Sequence, residues 1–356
     1  NAALIDGDAQ ELYEEIEYQQ QLTESLAGAS DTVRRLAETP VTYTATTDLS
    51  TATPPQPDIV AATATPAASY SLAHVAVATF LPETQLARWV QAIERKGQAI
   101  FYGPPGVGKT FLAEQLARHL AGEPLDVNES LTSEGFVETV QFHAAYAYED
   151  FVQGMRPQPG LDGQLSYPIV PGRFLTFCTT AAQREGRCIL IIDEINRADL
   201  ARVFGELLYL LEYRDRTVRL AADGRPFGIP ANVRIIGTMN TADRSIALVD
   251  HALRRRFAFI ALQPDWDILR RFHEHHQSDY PIEPLIALLQ RVNRQIGDPQ
   301  HAIGHSFFMS TALSETIADI WQLEIEPYLE EIFFDQPDAV DLLRWARVRD
   351  GLLRKS

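Results

Sequence analysis

Sulfur is scarce in this 356-residue chain, which has two cysteines and three methionines. Cys178 and Cys188 fit neither a disulfide framework nor the paired spacing of a metal site. Both lie in apolar surroundings, so core packing is their expected role, in a reducing, cytoplasmic setting. Long hydrophobic runs are missing too. No stretch approaches the ~18 apolar residues of a membrane helix, so no membrane partner is expected. Positive charge is short: 31 Lys and Arg stand against 48 Asp and Glu, a net charge of −17. Such a chain as a whole is no glove for nucleic acid. Contact with DNA would need a local basic patch, an assembled pore or a partner. No secretion signal opens the sequence. It begins at Asn1 rather than methionine, and a fragment or processed chain with a further N-terminal domain is the expectation.

What is present divides into four parts. Residues 1–38 include an acidic helical segment, with Leu12, Tyr13 and Ile16 on one side. Residues 39–78 are rich in Thr, Ala and Pro without a helical period, the composition of a linker. From about residue 79 to 264, apolar runs alternate with helical stretches: "AIFY", "TVQFH", "CILIIDE", "VRIIGTMN" and "FAFIALQP". That alternation predicts an α/β core with a parallel five-stranded sheet wrapped by helices. "PETQLARWVQAIERKG" reads as a helix with Pro at its start and Gly at its end. Asp223-Gly224 marks a hairpin turn. From 265 to 356 helical periodicity dominates, predicting a small α-helical domain.

The chemistry starts at "GPPGVGKT" (Gly103, Pro104, Pro105, Gly106, Val107, Gly108, Lys109, Thr110), followed by Phe111. It lies between a strand and a helix, the context a phosphate-binding loop requires. Its glycines let backbone N–H groups wrap phosphate oxygens at the positive end of the next helix. Lys109 is placed for the β- and γ-phosphates and Thr110 for Mg²⁺. "CILIIDE" brings Asp193 to a strand tip, where a carboxylate serves the Mg²⁺ shell. Glu194 follows as the group to polarise an attacking water. An acidic pair after a strand is weak evidence alone, because solvated strand ends look the same. With the phosphate loop it indicates a nucleotide hydrolase.

Two further features complete a resemblance. Asn240 ends the apolar strand before "TADRS", and Arg254, Arg255 and Arg256 precede the last strand. With the phosphate loop and "LIIDEINRA" they are similar to the AAA+ NTPases. "YEDFVQGMRP", "DEINRADLARVFGELLYLLE", "IIGTMNTADRSIALVDHALRRRF", "IGHSFF" and "EIEPYLEEIFFD" resemble the McrB group of that family in particular. The resemblance implies an AAA+ core with a helical lid and a homo-oligomeric, hexameric ring. It implies GTP hydrolysis with Mg²⁺, and an McrC-like nuclease partner in the restriction of modified or foreign DNA. It makes Asn240 the sensor that orients water, although a turn cap is its alternative role. It makes Arg254 and Arg255 the pair that reaches a neighbour's site, with Arg256 structural. A solvated basic turn is the alternative there. His305 and Ser306 fall where the lid approaches the nucleotide, or serve as packed histidine and capping serine. Arg244 is a candidate for contact with neighbouring loops.

"NTAD" is no guanine reader of the N-K-x-D kind. Thr241 stands at the lysine position, and Asn240 is committed to the phosphates. GTP is therefore expected from the resemblance, with ATP the default of the wider family. No DNA-reading cluster and no nuclease constellation occur in the sequence. DNA contact is expected through the missing N-terminal region or a partner. The rival readings are a MoxR- or midasin-like ATPase that remodels protein complexes, and a non-catalytic nucleotide-binding scaffold. Lys109, Asp193, Glu194 and Asn240 together argue against the scaffold.

Overall fold

The computed structural model of the chain describes residues 69–124, 134–159, 165–242 and 251–353. The acidic segment 1–38, the stretch 39–68 and Arg244 lie outside the described residues. Five strands form where apolar runs were read: β1 (Gln98–Gly103), β2 (Phe136–Gln141), β3 (Cys188–Asp193), β4 (Val233–Asn240) and β5 (Ala258–Ala261). All pair in parallel, in the order β5-β1-β4-β3-β2.

Helices cover both faces of such a sheet, so its inner strands need apolar side chains on both sides. β3 shows this, with Cys188 through Ile192 all buried. Successive side chains leave a strand on opposite faces. Ala99, Phe101, Ile189, Ile191 and Ile236 thus share a core with α2 (Glu83–Lys96) and α3 (Lys109–Ala121). Ile100, Leu190, Ile192 and Ile235 face the other way, toward α4 (Arg173–Ala181), α5 (Leu200–Phe204) and α6 (Leu207–Glu212). Cys178 and Cys188 sit in this second core as free, buried thiols. Burial pushes the Cys178 thiol up, which leaves it protonated and unreactive.

One helix was not anticipated. α1 (Leu72–Thr79) lies within the span 39–78 assigned to a linker. Ser71 starts it, its backbone N–H donating to His74 Nδ1 at 3.0 Å. Val75 is fully buried against the α2 and α3 side of the sheet, and Tyr70 nearly so. Full burial of such a side chain contributes ~1.5–3 kcal/mol, enough to anchor a two-turn helix. Because few residues of the segment bury, its composition still resembles a linker. The ordered domain therefore starts ahead of residue 79.

The Asp223-Gly224 turn joins Val218–Arg219 to Pro226–Phe227 as an antiparallel ribbon, with Gly224 at φ +70°. A short α7 (His251–Arg256) precedes β5. Beyond it α8 (Trp266–His275), α9 (Ile282–Ile296), α10 (Leu313–Ile320), α11 (Glu326–Ile332) and α12 (Trp345–Leu352) enclose a third core. Trp321 is fully buried there, its indole N–H donating to Leu343 O at 2.8 Å. This is the helical lid.

Candidate nucleotide-hydrolysis site

β1 delivers Gly103 at its tip, in register with Asn240 of β4. The loop that follows has Gly106 at φ +72° and Gly108 at φ +77°, a region where other residues are strained. A Cβ on Gly103 would stand 2.2 Å from Leu262 O, so only glycine lets the loop leave the sheet there. The first N–H groups of α3 lack partners within the helix, and its dipole adds positive potential. Lys109 Nζ donates to Gly103 O at 3.0 Å and to Pro104 O at 2.8 Å, folding the ammonium over the loop. An anion in the loop would compete for that ammonium with far stronger charge-assisted bonds.

At the loop's exit, Thr110 Oγ1 donates to Asp193 Oδ1 at 2.9 Å. The same carboxylate oxygen accepts from Thr238 Oγ1 of β4. A hydroxyl beside a carboxylate suits Mg²⁺, which prefers hard oxygens and retains water and phosphate ligands. Thr238, 2% exposed, also accepts the backbone N–H of Glu194 at 3.2 Å. One hydroxyl thus orients both acids. Glu194 itself sits at φ +51°, a conformation uncommon outside glycine. Its Oε2 lies 3.5 Å from Arg197 Nε. The turn after Glu194 packs Ile195 onto Gly237, where an added Cβ would meet Ile195 Cδ1 at 2.9 Å. Two residues on, on the same strand face as Thr238, Asn240 has its Oδ1 buried and without a hydrogen-bond partner among the described residues. A buried amide oxygen left open costs free energy unless a ligand or water fills it.

The arginines occupy the last turn of α7, between buried Leu253 and Phe257. They differ in what holds them. Arg255 Nη2 pairs with Glu212 Oε2 at 3.0 Å, and Arg256 Nη2 with the same oxygen at 3.3 Å. Arg254 is exposed and makes no ion pair among the described residues; its Cζ lies 5.9 Å from the Phe259 ring centroid.

Two backbone hydrogen bonds and the Phe307 ring bring the lid onto the phosphate loop. Gly304 N–H donates to Pro105 O at 3.1 Å, and Ser306 N–H to Gly106 O at 2.8 Å. A Cβ on Gly304 would stand 2.0 Å from Gly106 O, and one on Gly106 would enter the Phe307 ring. His305 is 5% exposed, and its Nδ1 accepts the Asp265 N–H at 3.2 Å. Burial pushes its pKa down to about 4, a shift Asp265 only partly opposes, so the ring is neutral at physiological pH. Beside it opens a cavity of about 660 Å³ between α1, α2, the loop and α8. Phe80, Trp89, Phe111, Phe272, His305 and Ser306 are among its walls. Its size and aromatic lining suit a base and ribose continuing from phosphates in the loop.

Apart from Arg244, the site residues read from the sequence are all described, and those of the chain's own phosphate end converge. Arg254 and Arg255 stand apart on α7. Sequence reasoning missed Thr238, whose signal was a lone hydroxyl two residues before Asn240, hence on the same strand face. It also missed Gly304, whose role exists only through contact with a loop two hundred residues earlier.

Residues 98–257 match the family model of an AAA domain (dynein-related subfamily), and residues 284–341 match the McrB α-helical lid domain. The chain is 38% identical over 292 residues to the type IV methyl-directed restriction enzyme EcoKMcrB subunit of Escherichia coli strain K12. That match covers 76% of this chain and 61% of the relative. It is 27% identical over 224 residues to the type II restriction enzyme BsuMI component YdiS of Bacillus subtilis strain 168, covering 50% and 63% respectively. The chain thus spans less than two thirds of either relative's length. Sheet order, phosphate loop, lid and these matches agree: the chain belongs to the McrB-like group of AAA+ P-loop NTPases.

Proposed function

We propose that the chain is the nucleotide-hydrolysing motor of a restriction system, acting as a homo-oligomeric ring, with six subunits expected, that drives an McrC-like nuclease. The observation that carries the hydrolase reading is the meeting of Thr110, Asp193 and Thr238 at one carboxylate oxygen, with the Glu194 backbone tied to the same hydroxyl. Lys109 and the loop N–H groups hold the β- and γ-phosphates. Mg²⁺, when bound, neutralises charge developing on the transferring phosphoryl group. Glu194 accepts a proton from water as the water oxygen bonds to the γ-phosphorus. The bond from that phosphorus to the β-phosphate oxygen breaks, and the nucleoside diphosphate leaves with the electron pair. Asn240 orients the water. Arg254 of a neighbouring subunit supports the charge on the phosphoryl oxygens; it has no ionic partner of its own among the described residues. Arg255 shares that task only after leaving Glu212.

GTP is the favoured substrate through likeness to the McrB relative, and DNA is reached through another domain or subunit. Phosphate release measured with GTP and ATP in parallel tests the first point. Co-purification with an McrC-like nuclease subunit, and DNA binding measured with and without it, test the second. ATP preference with no nuclease partner would move the chain to a MoxR- or midasin-like remodeller.

A further inference from the structure

The arginine turn is held by a buried polar knot at the opposite end of β1 from the phosphate loop. α7 ends at Arg256, and the last carbonyls of a helix need partners from outside it. Lys96 Nζ donates to Arg255 O at 2.7 Å, and Gln98 Nε2 donates to Arg256 O at 2.7 Å. The same Gln98 amide donates to Leu211 O in α6, also at 2.7 Å. Its Oε1 accepts from Arg214 Nη2 at 2.8 Å, and that nitrogen also reaches Gly97 O at 3.2 Å. Gln98 is fully buried, and both its amide protons and its carbonyl are engaged. Gly97 belongs to the knot as well. It sits at φ +76°, and a Cβ there would stand 2.9 Å from Arg214 Nη2.

A buried amide is costly unless every bond is made, and those of Gln98 are all made. The knot's partners are the ends of α2, α6 and α7. Glu212, next to Leu211, pairs with Arg255 and Arg256. The backbone below Arg254 is thereby fixed, while its side chain is left to reach outward. β1 carries the knot at Gln98 and the phosphate loop at Gly103, so one strand references both halves of the reaction. We infer that Gln98, assisted by Lys96 and Arg214, is a positioning residue that sets Arg254 for the adjacent subunit's site. This rests on the reading of Arg254 as the residue acting in trans.

Gln98→Glu provides the test in the full-length chain. It keeps the shape and gives Arg214 a stronger acceptor, but has no N–H for Leu211 O or Arg256 O. The expected result is unchanged nucleotide affinity and KM, with kcat reduced ~10–100-fold, the effect of a misplacement near 1 Å. The double variant with Arg254→Ala should fall no further than Arg254→Ala alone, because the amide acts through that side chain. Lys96→Ala, at the surface and safe for folding, should give a smaller loss, of a few-fold, with the same non-additivity. Deficits that multiply in both double variants, or wild-type kcat in Gln98→Glu and Lys96→Ala while Arg254→Ala is impaired, would overturn the positioning role alone. Wild-type turnover in Arg254→Ala would overturn the trans reading, and the positioning role with it.

Discussion

The phosphate end of the site and the arginine turn are built on opposite plans. Around the loop, contacts close within a single chain: Thr110 and Thr238 donate to Asp193, Thr238 accepts the Glu194 backbone N–H, and Lys109 folds onto its own loop, with Asn240 Oδ1 left open among the described residues. In α7 the order is reversed. The carbonyls of its last turn are tied down by Lys96 and Gln98, and Arg255 and Arg256 are paired, yet Arg254 has no ionic partner among the described residues. The first region is ready for a ligand that the chain can bind alone. The second is ready for something another molecule brings.

The sharpest contrast comes from Glu194→Gln. Turnover should fall ~10²–10⁴-fold through loss of the proton acceptor, while nucleotide affinity stays within a few-fold. A fluorescent-nucleotide titration beside a phosphate-release assay separates the two. Retained turnover would remove Glu194 from its role and break the phosphate-end half of the comparison.

Arg254→Ala should lower turnover ~10³-fold, the scale of an arginine supplied to a phosphoryl-transfer site. Arg255→Ala should cost only a few-fold, because Glu212 already engages that side chain. Equal losses in steady-state kinetics would show that the Glu212 pair is broken in the assembled ring.

Thr238→Val removes the shared hydroxyl at constant shape. Asp193 then loses one donor and the Glu194 N–H its acceptor; with two hydrogen bonds gone, a drop in turnover on the order of 10–100-fold and a higher Mg²⁺ requirement are expected. A magnesium titration of the variant checks this. No change would mean the two acids are held by other contacts.

A last effect concerns stability and leaves turnover aside. His305 has its folded pKa depressed to about 4, below the ordinary value of 6.5. Between those values the unfolded chain binds more protons than the folded one, so stability rises with pH. The contribution is complete above about pH 6.5, is lost as pH falls toward 4, and is on the order of 3 kcal/mol. Urea midpoints across that window should therefore slope less in His305→Asn than in the parent. Parallel slopes would place the acid sensitivity elsewhere.

The two regions also differed in how far they could be read in advance. A phosphate cradle needs contiguous glycines, a lysine and a threonine, so Gly103–Thr110 announces itself. Asp193 and Glu194 follow an apolar strand, and periodicity exposes such strands when both faces are buried. Asn240 and the arginines were visible as polar residues out of place. Gln98 gave no sign, because an amide at a strand start has no motif and acts through residues more than a hundred positions away. The Gly304–Gly106 contact is equally silent, as is the cavity beside His305. α1 was concealed by the Thr-, Ala- and Pro-rich stretch that runs into it.

The most direct measurement mixes two inactive proteins. Arg254→Ala chains keep Glu194 but offer no arginine, and Glu194→Gln chains do the reverse. After subunit exchange, with assembly confirmed by sedimentation, phosphate release is followed across mixing ratios. Partial recovery is expected, highest near equal proportions, because there a Glu-intact site most often faces an Arg-intact neighbour. No recovery at any ratio in assembled rings would contradict the trans role of Arg254.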